Sequence, residues 1–385
     1  MNYPGVIYRV PDVLEKLVKA EDRPVDGHAP GLTGKDLSAY IVAGIGSDHE
    51  CTTVEEAREK LQSGMHIMIR DGTTARNLKP LLPLVNLYNA SRCSFCTDDR
   101  HPDDLLSEGH IDYIVKTAIR EGLEPVLAIQ LATINTARYF GLKHSGAIAP
   151  GYYADMLVFD DFESFNIRQV YQKGIKVAED GKFLGKIRGD IEKMPLRSTV
   201  NVNWNDLDFS IHLPSHMNGK AKGRVIGIVS EQIITKNLVE DLTVYDGKAV
   251  ADTEKDLLKI AVIERHLASG NVGLGFVKGF GMKHGAIASS VNHDSHNIIV
   301  VGTNDKDMIT AVIEVVRMKG GQCVVNNDAV LASLPLPIAG LMSDLPIEEV
   351  RDRIKEMTDA AHGLGCVLSD PIMTMSFLAL PVIPD

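Results

Sequence analysis

The stretch His66-Ile67-Met68-Ile69-Arg70-Asp71, with the run over residues 75–87 behind it, decides how the first third of the chain reads. The first piece is a short apolar strand closed by charged residues, and the second is its helix. The same pairing recurs on both sides. Upstream, residues 11–20 carry Val13, Leu14, Leu17 and Val18 at helical spacing. A strand ending at Val25-Asp26-Gly27-His28 follows, with a helix over 35–43. Gly46-Ser47-Asp48-His49-Glu50 comes next, with a helix over 53–62 that Thr52 or Thr53 caps and that has Glu55 and Glu56 in its first turn. Downstream, Cys93-Ser94-Phe95-Cys96-Thr97-Asp98 is a fourth strand, and helices follow over 111–121 and 125–140. Four consecutive βα units with polar strand ends predict an α/β fold, the C-terminal half of a (β/α)8 TIM-type barrel. A barrel closes only with eight strands, and four alone leave two open edges, so either a further segment ahead of Met1 is expected, which is the favoured reading, or the open side is covered in another way.

After residue 142 the texture changes. Residues 145–151 form a Gly/Pro-punctuated turn region, 153–160 read as a buried strand, and 169–179 read as strand with a turn at Gly174 and a hairpin signal at Asp180-Gly181. From about residue 187 strands (224–229, 296–302, 321–326) mix with helices (254–268, 305–318, 347–361). The chain thus divides into a partial barrel (1–142), a remnant of a small β-sandwich (143–190) and a C-terminal α/β domain (191–385). It has no internal repeat and no low-complexity segment.

Composition narrows the function. A formal charge of −11 repels a phosphate backbone, which excludes nucleic acid as a natural partner and suits a small neutral substrate. Five cysteines without a regular framework do not describe a secreted disulfide scaffold. The first ten residues lack a basic stretch followed by an apolar run, and no window approaches the ~20 apolar residues that span a bilayer. These features point to a soluble cytoplasmic protein; a homo-oligomer is compatible with them.

Three strand ends present ligand-type side chains: His28, His49 and Asp98. In a (β/α)8 barrel the strands' C-terminal ends surround the active site, so the three are expected to converge. Two imidazoles and a carboxylate suit a divalent transition metal, and Asp98 could also exchange a proton with water at that ion. Singly, each could equally be a capping or hydrogen-bonding residue. Asp99, Arg100 and His101 follow Asp98 and either orient it or cap the helix that Pro102 opens.

Other features carry two readings. Asn292-His293-Asp294-Ser295-His296-Asn297 lies in a turn between two strands, where His293, Asp294 and His296 offer an additional metal or substrate site or a hydrogen-bonded turn. Cys93 and Cys96 sit three apart in a strand, which turns them to opposite faces and favours a structural role. Residues 273–281 are rich in glycine but lack the strand-then-helix context of a nucleotide loop, and read as turns or close backbone packing. His66 begins its strand, the wrong end for catalysis. Arg70 and Asp71 end it and could line a pocket. Residues 201–213, around Trp204, read as an ordinary β segment. The His-x-Glu with Pro-Cys-x-x-Cys signature of the zinc cytidine-type deaminases is absent.

Asp26-Gly27-His28-Ala29-Pro30-Gly31, Ser47-Asp48-His49-Glu50 and Cys96-Thr97-Asp98-Asp99-Arg100-His101-Pro102 resemble strand ends five, six and eight of the amidohydrolase superfamily. Gly146-Ala147-Ile148-Ala149-Pro150-Gly151 through Ala154-Asp155 resembles that superfamily's return into a small β-sandwich, and Ala132-Thr133-Ile134-Asn135-Thr136-Ala137-Arg138 its preceding helix. Over its whole length, the 292–297 turn included, the chain is similar to the adenine deaminases of that superfamily. The resemblance implies a dinuclear centre of Mn²⁺ or Fe²⁺ and the hydrolysis of adenine to hypoxanthine and ammonia, a step of purine salvage and adenine catabolism. It implies His28, His49 and Asp98 as metal ligands, His49 polarising at the same centre, and Asp98 taking the proton of the attacking water and passing it to the departing amine. It also implies an HxH pair from strand one and a bridging carboxylate from strand four, both upstream of Met1. Met1-Asn2-Tyr3-Pro4-Gly5-Val6 resembles the stretch just after that carboxylate. Two alternatives stand beside this reading: an inactive truncated homologue acting as a binding protein, and an amidohydrolase of another cyclic amide or amine.

Overall fold

The computed structural model describes residues 1–73, 75–185, 198–214, 221–229 and 234–380. They fall into two compact units, Met1–Glu192 and Lys193–Asp385. The expected boundary at 190/191 lies outside the described residues.

In the first unit four parallel strands lie side by side in chain order: β1 (Asp26–Gly27), β2 (Ser47–Asp48), β3 (His66–Arg70) and β4 (Cys93–Cys96). Ser47 pairs with Asp26 on one side and His66 on the other, and Arg70 pairs with Cys96. Parallel pairing brings the residues that follow each strand to a common end, which places His28, His49 and Asp98 there. β3 is buried at every position. Ile67 and Ile69 pack with Phe95 and with Ile114, Val115 and Ala118 of the helix Ile111–Arg120, an apolar face at helical spacing. Each such side chain contributes about 1.5–3 kcal/mol by leaving water.

The helix Val54–Gln62 starts as its sequence implies, with Thr53 Oγ1 accepting from the Glu56 N–H at 3.3 Å. Two expected helices are shorter. In place of one over 75–87 there is a single turn, Leu78–Leu81, and a 3₁₀ turn, Leu82–Leu84, because Pro80 and Pro83 remove amide donors. The helix over 125–140 breaks at Thr133, whose φ of −130° and ψ of −93° are not helical, giving Pro125–Ala132 and Ile134–Tyr139.

A separate antiparallel sheet of this unit holds β5 (Met156–Phe159), β6 (Ile167–Gln172), β7 (Ile175–Glu179) and β8 (Lys182–Phe183) in that order. β5 is not the buried strand its composition suggests: it lies at the sheet edge, with Leu157 and Val158 exposed. The β7–β8 turn uses Asp180 and Gly181 at φ of 44° and 74°, the left-handed pair a two-residue hairpin needs.

The second unit is built on one mixed sheet of ten strands. In chain order these are β9 (Ile211–His212), β10 (Ala221–Ile228), β11 (Thr235–Tyr245), β12 (Lys248–Val250), β13 (Leu257–Ile263), β14 (Val272–Lys278), β15 (Ala286–Ser289), β16 (Ile298–Gly302), β17 (Gly321–Asn326) and β18 (Ala329–Pro335). Their order across the sheet is β18-β17-β15-β16-β13-β14-β10-β11-β12-β9. Alternate residues of β16 serve two cores. Ile298 and Val300 pack with Met308, Ala311, Val312 and Val315 of the helix Asp305–Arg317. Ile299 and Val301 pack with Met357 and Ala361 of the helix Ile347–Gly363.

The same two-sided burial explains the clearest misreading. Residues 254–268 are not a helix: their centre is β13, buried between β14 and β16. A strand covered on both faces shows a continuous apolar run with no period of two, which a buried helix also shows. Residues 273–278 are strand rather than turn, and only Gly279 and Gly281, at φ of 117° and 76°, turn the chain, with Asp256 accepting from both amides. Of residues 201–213 only Ile211–His212 is strand, and Trp204–Asp206 is a 3₁₀ turn.

Candidate metal centre

The site begins with a register pair. Asp26 in β1 lies opposite Ser47 in β2, and Ser47 Oγ donates to Asp26 Oδ1 at 2.6 Å. The other oxygen, Oδ2, lies 2.6 Å from His49 Nδ1. Burial alone would lower the His49 pKa, but the Asp26 carboxylate outweighs it and holds the imidazole above its ordinary value. Burial pushes Asp26 up, and the bonds to His49 and Ser47 bring it below the usual carboxylate value. Held at Nδ1, the His49 ring has Nε2 for other work.

That work centres on Glu50. Its Oε1 lies 3.6 Å from His49 Nε2 and 3.7 Å from His28 Nδ1, and the two rings meet edge to face with centroids 5.5 Å apart. One ligand atom from each of His28, His49 and Glu50 falls within 4.8 Å of the others. Glu50 is fully buried; Oε1 accepts from Arg70 Nη1, while Oε2 has no hydrogen-bond partner among the described residues. A buried carboxylate oxygen without a donor is costly unless a cation meets it. Two imidazoles and this carboxylate are a donor set that a divalent transition ion fits. Arg70, 1% exposed, also reaches Asp98 Oδ2 at 2.7 Å through Nη1 and Asp99 Oδ2 at 3.5 Å through Nη2.

The chain matches two family models: the amidohydrolase family over residues 9–177 and the adenine deaminase C-terminal domain over residues 232–385. It is 52% identical over 387 residues to an adenine deaminase of Desulfatibacillum aliphaticivorans, with 100% of this chain and 67% of that protein covered. The chain belongs to the adenine deaminase family. Similar relatives include an adenine deaminase of Dehalococcoides mccartyi (50% over 385 residues, 100% of this chain and 66% of that one) and adenine deaminase 2 of Carboxydothermus hydrogenoformans (47% over 388, 100% and 67%). The chain spans about two thirds of the length of these relatives. Adenine deaminases of the amidohydrolase class are metal-dependent hydrolases, and the α/β fold read from the sequence agrees with that membership. Among the described residues no helix is long and apolar enough to cross a membrane.

Within this adenine deaminase family member the residues singled out in the sequence separate. His28 and His49 come together. Asp98 joins them through Arg70 rather than by direct convergence, and its backbone is left-handed, φ 52°, at the end of β4. Asp99 faces Arg70 as well. Arg100 turns to structural work, donating to Glu108 at 2.6 Å and to the Gly109 carbonyl at 2.9 Å, with its guanidinium over the Tyr113 ring. His101 caps the helix Pro102–Ser107 by position, and its amide donates to Thr73 Oγ1 at 2.8 Å.

His66 lies at the other end of the strands, 2.9 Å from Ser94 Oγ and stacked on Tyr139; burial, helped by Arg92, lowers its pKa to about 4. Cys93 packs in the apolar core beside the helices, and Cys96 lies where Asp98 and Arg70 act on it electrostatically; both are free thiols. His293, Asp294 and His296 sit in the turn between β15 and β16. Their ligand atoms do not form a group within 4.8 Å among the described residues. His293 instead stacks flat on Phe377 with centroids 4.7 Å apart.

For three residues of the centre the sequence does not give the part that the structure shows. Glu50 stood in the quoted motif, but neighbours in an extended chain point to opposite sides, so adjacency to His49 hides their pairing. The chain leaves β2 at Asp48, and that alternation ends there. Asp26 precedes the motif histidine by two residues, and only the β1–β2 register turns it toward His49. Arg70 was read as lining a pocket; the structure makes it the cation that Glu50 and Asp98 share.

Proposed function

We propose that this chain carries part of an adenine deaminase centre in which His28, His49 and Glu50 hold a divalent ion, Mn²⁺ or Fe²⁺, and Asp98 moves the proton. The observation that carries the reading is the convergence of two imidazoles on a buried carboxylate whose second oxygen lacks a donor. A bound ion would supply acidity, taking the pKa of water from ~15.7 toward ~7 so that it attacks near neutral pH. Asp26 holds His49 at Nδ1 with Nε2 turned to Glu50, so that Nε2 would be the atom offered to an ion. Arg70 fixes Glu50 and Asp98 relative to each other. Asp98, with its side chain 37% exposed, is open to a substrate. It accepts the proton of the water that adds to C6 of adenine and returns it to the amine as the C6–N bond breaks, giving hypoxanthine and ammonia.

The parallel strands β1–β4 with their helices are, in this reading, strands five to eight of a (β/α)8 barrel; residues 143–190 are the β-sandwich return and 191–385 the C-terminal domain. Of the site residues carried over from sequence, His28 and His49 keep their places as ligands and Asp98 its part in proton transfer, while Glu50 takes the ligand place that was expected of Asp98. The net charge of −11 suits a free neutral purine in the cytoplasm.

Ammonia release from adenine by the chain supplied with Mn²⁺ or Fe²⁺ tests the proposal. Release that disappears in His49→Asn and Asp98→Asn supports it. Silence that persists when the unmatched third of a relative is added in trans overturns it. Faster turnover of another cyclic amide or amine in a substrate panel would move the assignment to that substrate.

A further inference from the structure

A second group of buried charges lies beside the loops that carry the three donors. Asp48, Cys51 and Glu56 bring three ligand-type atoms within 4.8 Å, all buried, an arrangement that could itself take a metal. A lysine already fills it. Lys60 Nζ donates to Asp48 Oδ2 at 2.7 Å, to Glu56 Oε1 at 2.5 Å and to the Ala29 carbonyl at 2.6 Å, which uses all three of its protons. The Lys60 and Asp48 side chains have no exposure to solvent.

The two carboxylates pass the constraint on to backbone. Asp48 Oδ1 accepts from the Ala29 amide at 3.1 Å and the Glu50 amide at 3.4 Å. Glu56 accepts from the Gly31 amide at 2.8 Å and the Thr52 amide at 3.2 Å. Ala29 follows His28, and Asp48 and Glu50 flank His49. Every partner of this network is therefore within a few residues of a proposed ligand or on the helix Val54–Gln62 that carries Lys60 and Glu56.

We infer that Lys60 is a built-in cation and a positioning residue: it sets the spacing between the His28 loop and the His49–Glu50 loop, and through it the affinity of the centre for a divalent ion. The inference rests on the metal reading above. Stability alone does not account for the arrangement, because a buried ion pair generally adds little over well-packed apolar groups of the same volume. What an apolar cluster cannot do is hold four amides and a carbonyl of two loops at fixed places around one point.

The test compares the wild-type chain with Lys60→Met and with Ile114→Ala, a core change outside the network that also lowers stability. Amide hydrogen exchange on the metal-free proteins reads loop order, and titration with Mn²⁺, followed by its EPR signal, reads affinity. Lys60→Met is expected to lose protection at residues 29–31 and 48–52 while residues 111–120 keep theirs, and to bind Mn²⁺ at least about tenfold more weakly. Ile114→Ala is expected to keep both loops protected and Mn²⁺ affinity unchanged. A folded Lys60→Met with wild-type loop protection, or with loosened loops and unchanged Mn²⁺ affinity, overturns the inference. Equal weakening in Ile114→Ala does the same. Should Lys60→Met fail to fold, Glu56→Gln keeps the shape and removes a charge; unaltered protection and affinity there are equally decisive against it. A wild-type chain that takes up no Mn²⁺ strikes at the metal reading instead, and the exchange comparison still decides whether Lys60 fixes the loops.

Discussion

Two histidine-bearing regions look alike in the sequence and differ in everything around them. In the turn 292–297 two histidines and an aspartate lie within four residues, yet His293 stacks on Phe377 and the three offer no common point to an ion. His28 and His49 are 21 residues apart, yet parallel strands bring them onto one carboxylate. Topology therefore gathers ligand-type atoms from distant residues where local density in the sequence does not. The second difference is charge. Half-buried Asp26 and buried Glu50 and Arg70 surround the first pair, whereas the buried cation near the second, Arg265, is spent on the carbonyls of Thr199, His296 and Ala339.

The largest contrast is expected in metal affinity. His49→Asn or Glu50→Gln should weaken Mn²⁺ binding by about a hundredfold or more, beyond the effect of losing an outer partner, while His293→Asn leaves it unchanged. Calorimetric titration of the three variants measures this, and equal losses would erase the distinction between the regions. Next in size is the stranding of charge. Arg70→Met leaves Glu50 and Asp98 without their shared cation and should cost about 3–5 kcal/mol in urea unfolding. Arg265→Met strands only carbonyls and should cost less, about 1–3 kcal/mol.

The regions should also titrate in opposite senses. His49 is held above its ordinary pKa, so its contribution to stability is full below the unfolded value near 6.5 and is lost as pH rises through the folded value. His296 is held below by burial, then by His293 and Arg265. Its contribution is present above the unfolded value and is lost as pH falls through the folded one. NMR titration of the metal-free chain should show His49 losing its proton at the higher pH of the two. The smallest effect is His293→Ala, which removes the stack on Phe377 and should cost about 1 kcal/mol with no change in Mn²⁺ affinity.

Much of the first unit was legible because parallel βα units announce themselves: an apolar strand, a polar end, a capped helix. His28 and His49 were found that way. Glu50 and Asp26 were hidden because their roles depend on where a two-residue strand ends and on which residues face each other across β1 and β2. Lys60 was invisible for a related reason. On the helix Val54–Gln62 it reads as a solvated charge, and only the docking of that helix buries it. In the second unit β13 was misread because burial on both faces erases the period that separates strand from helix. The strand β16, equally two-sided, was recognised because it is short and β-branched throughout its apolar run.

The central claim is that an ion belongs among His28, His49 and Glu50. Anomalous diffraction at the manganese edge from crystals of the chain grown with Mn²⁺ tests it directly. A single strong peak within bonding distance of His49 Nε2, an imidazole nitrogen of His28 and a Glu50 oxygen is the predicted result. A peak at the 292–297 turn with none beside His49, or no peak at all, contradicts it.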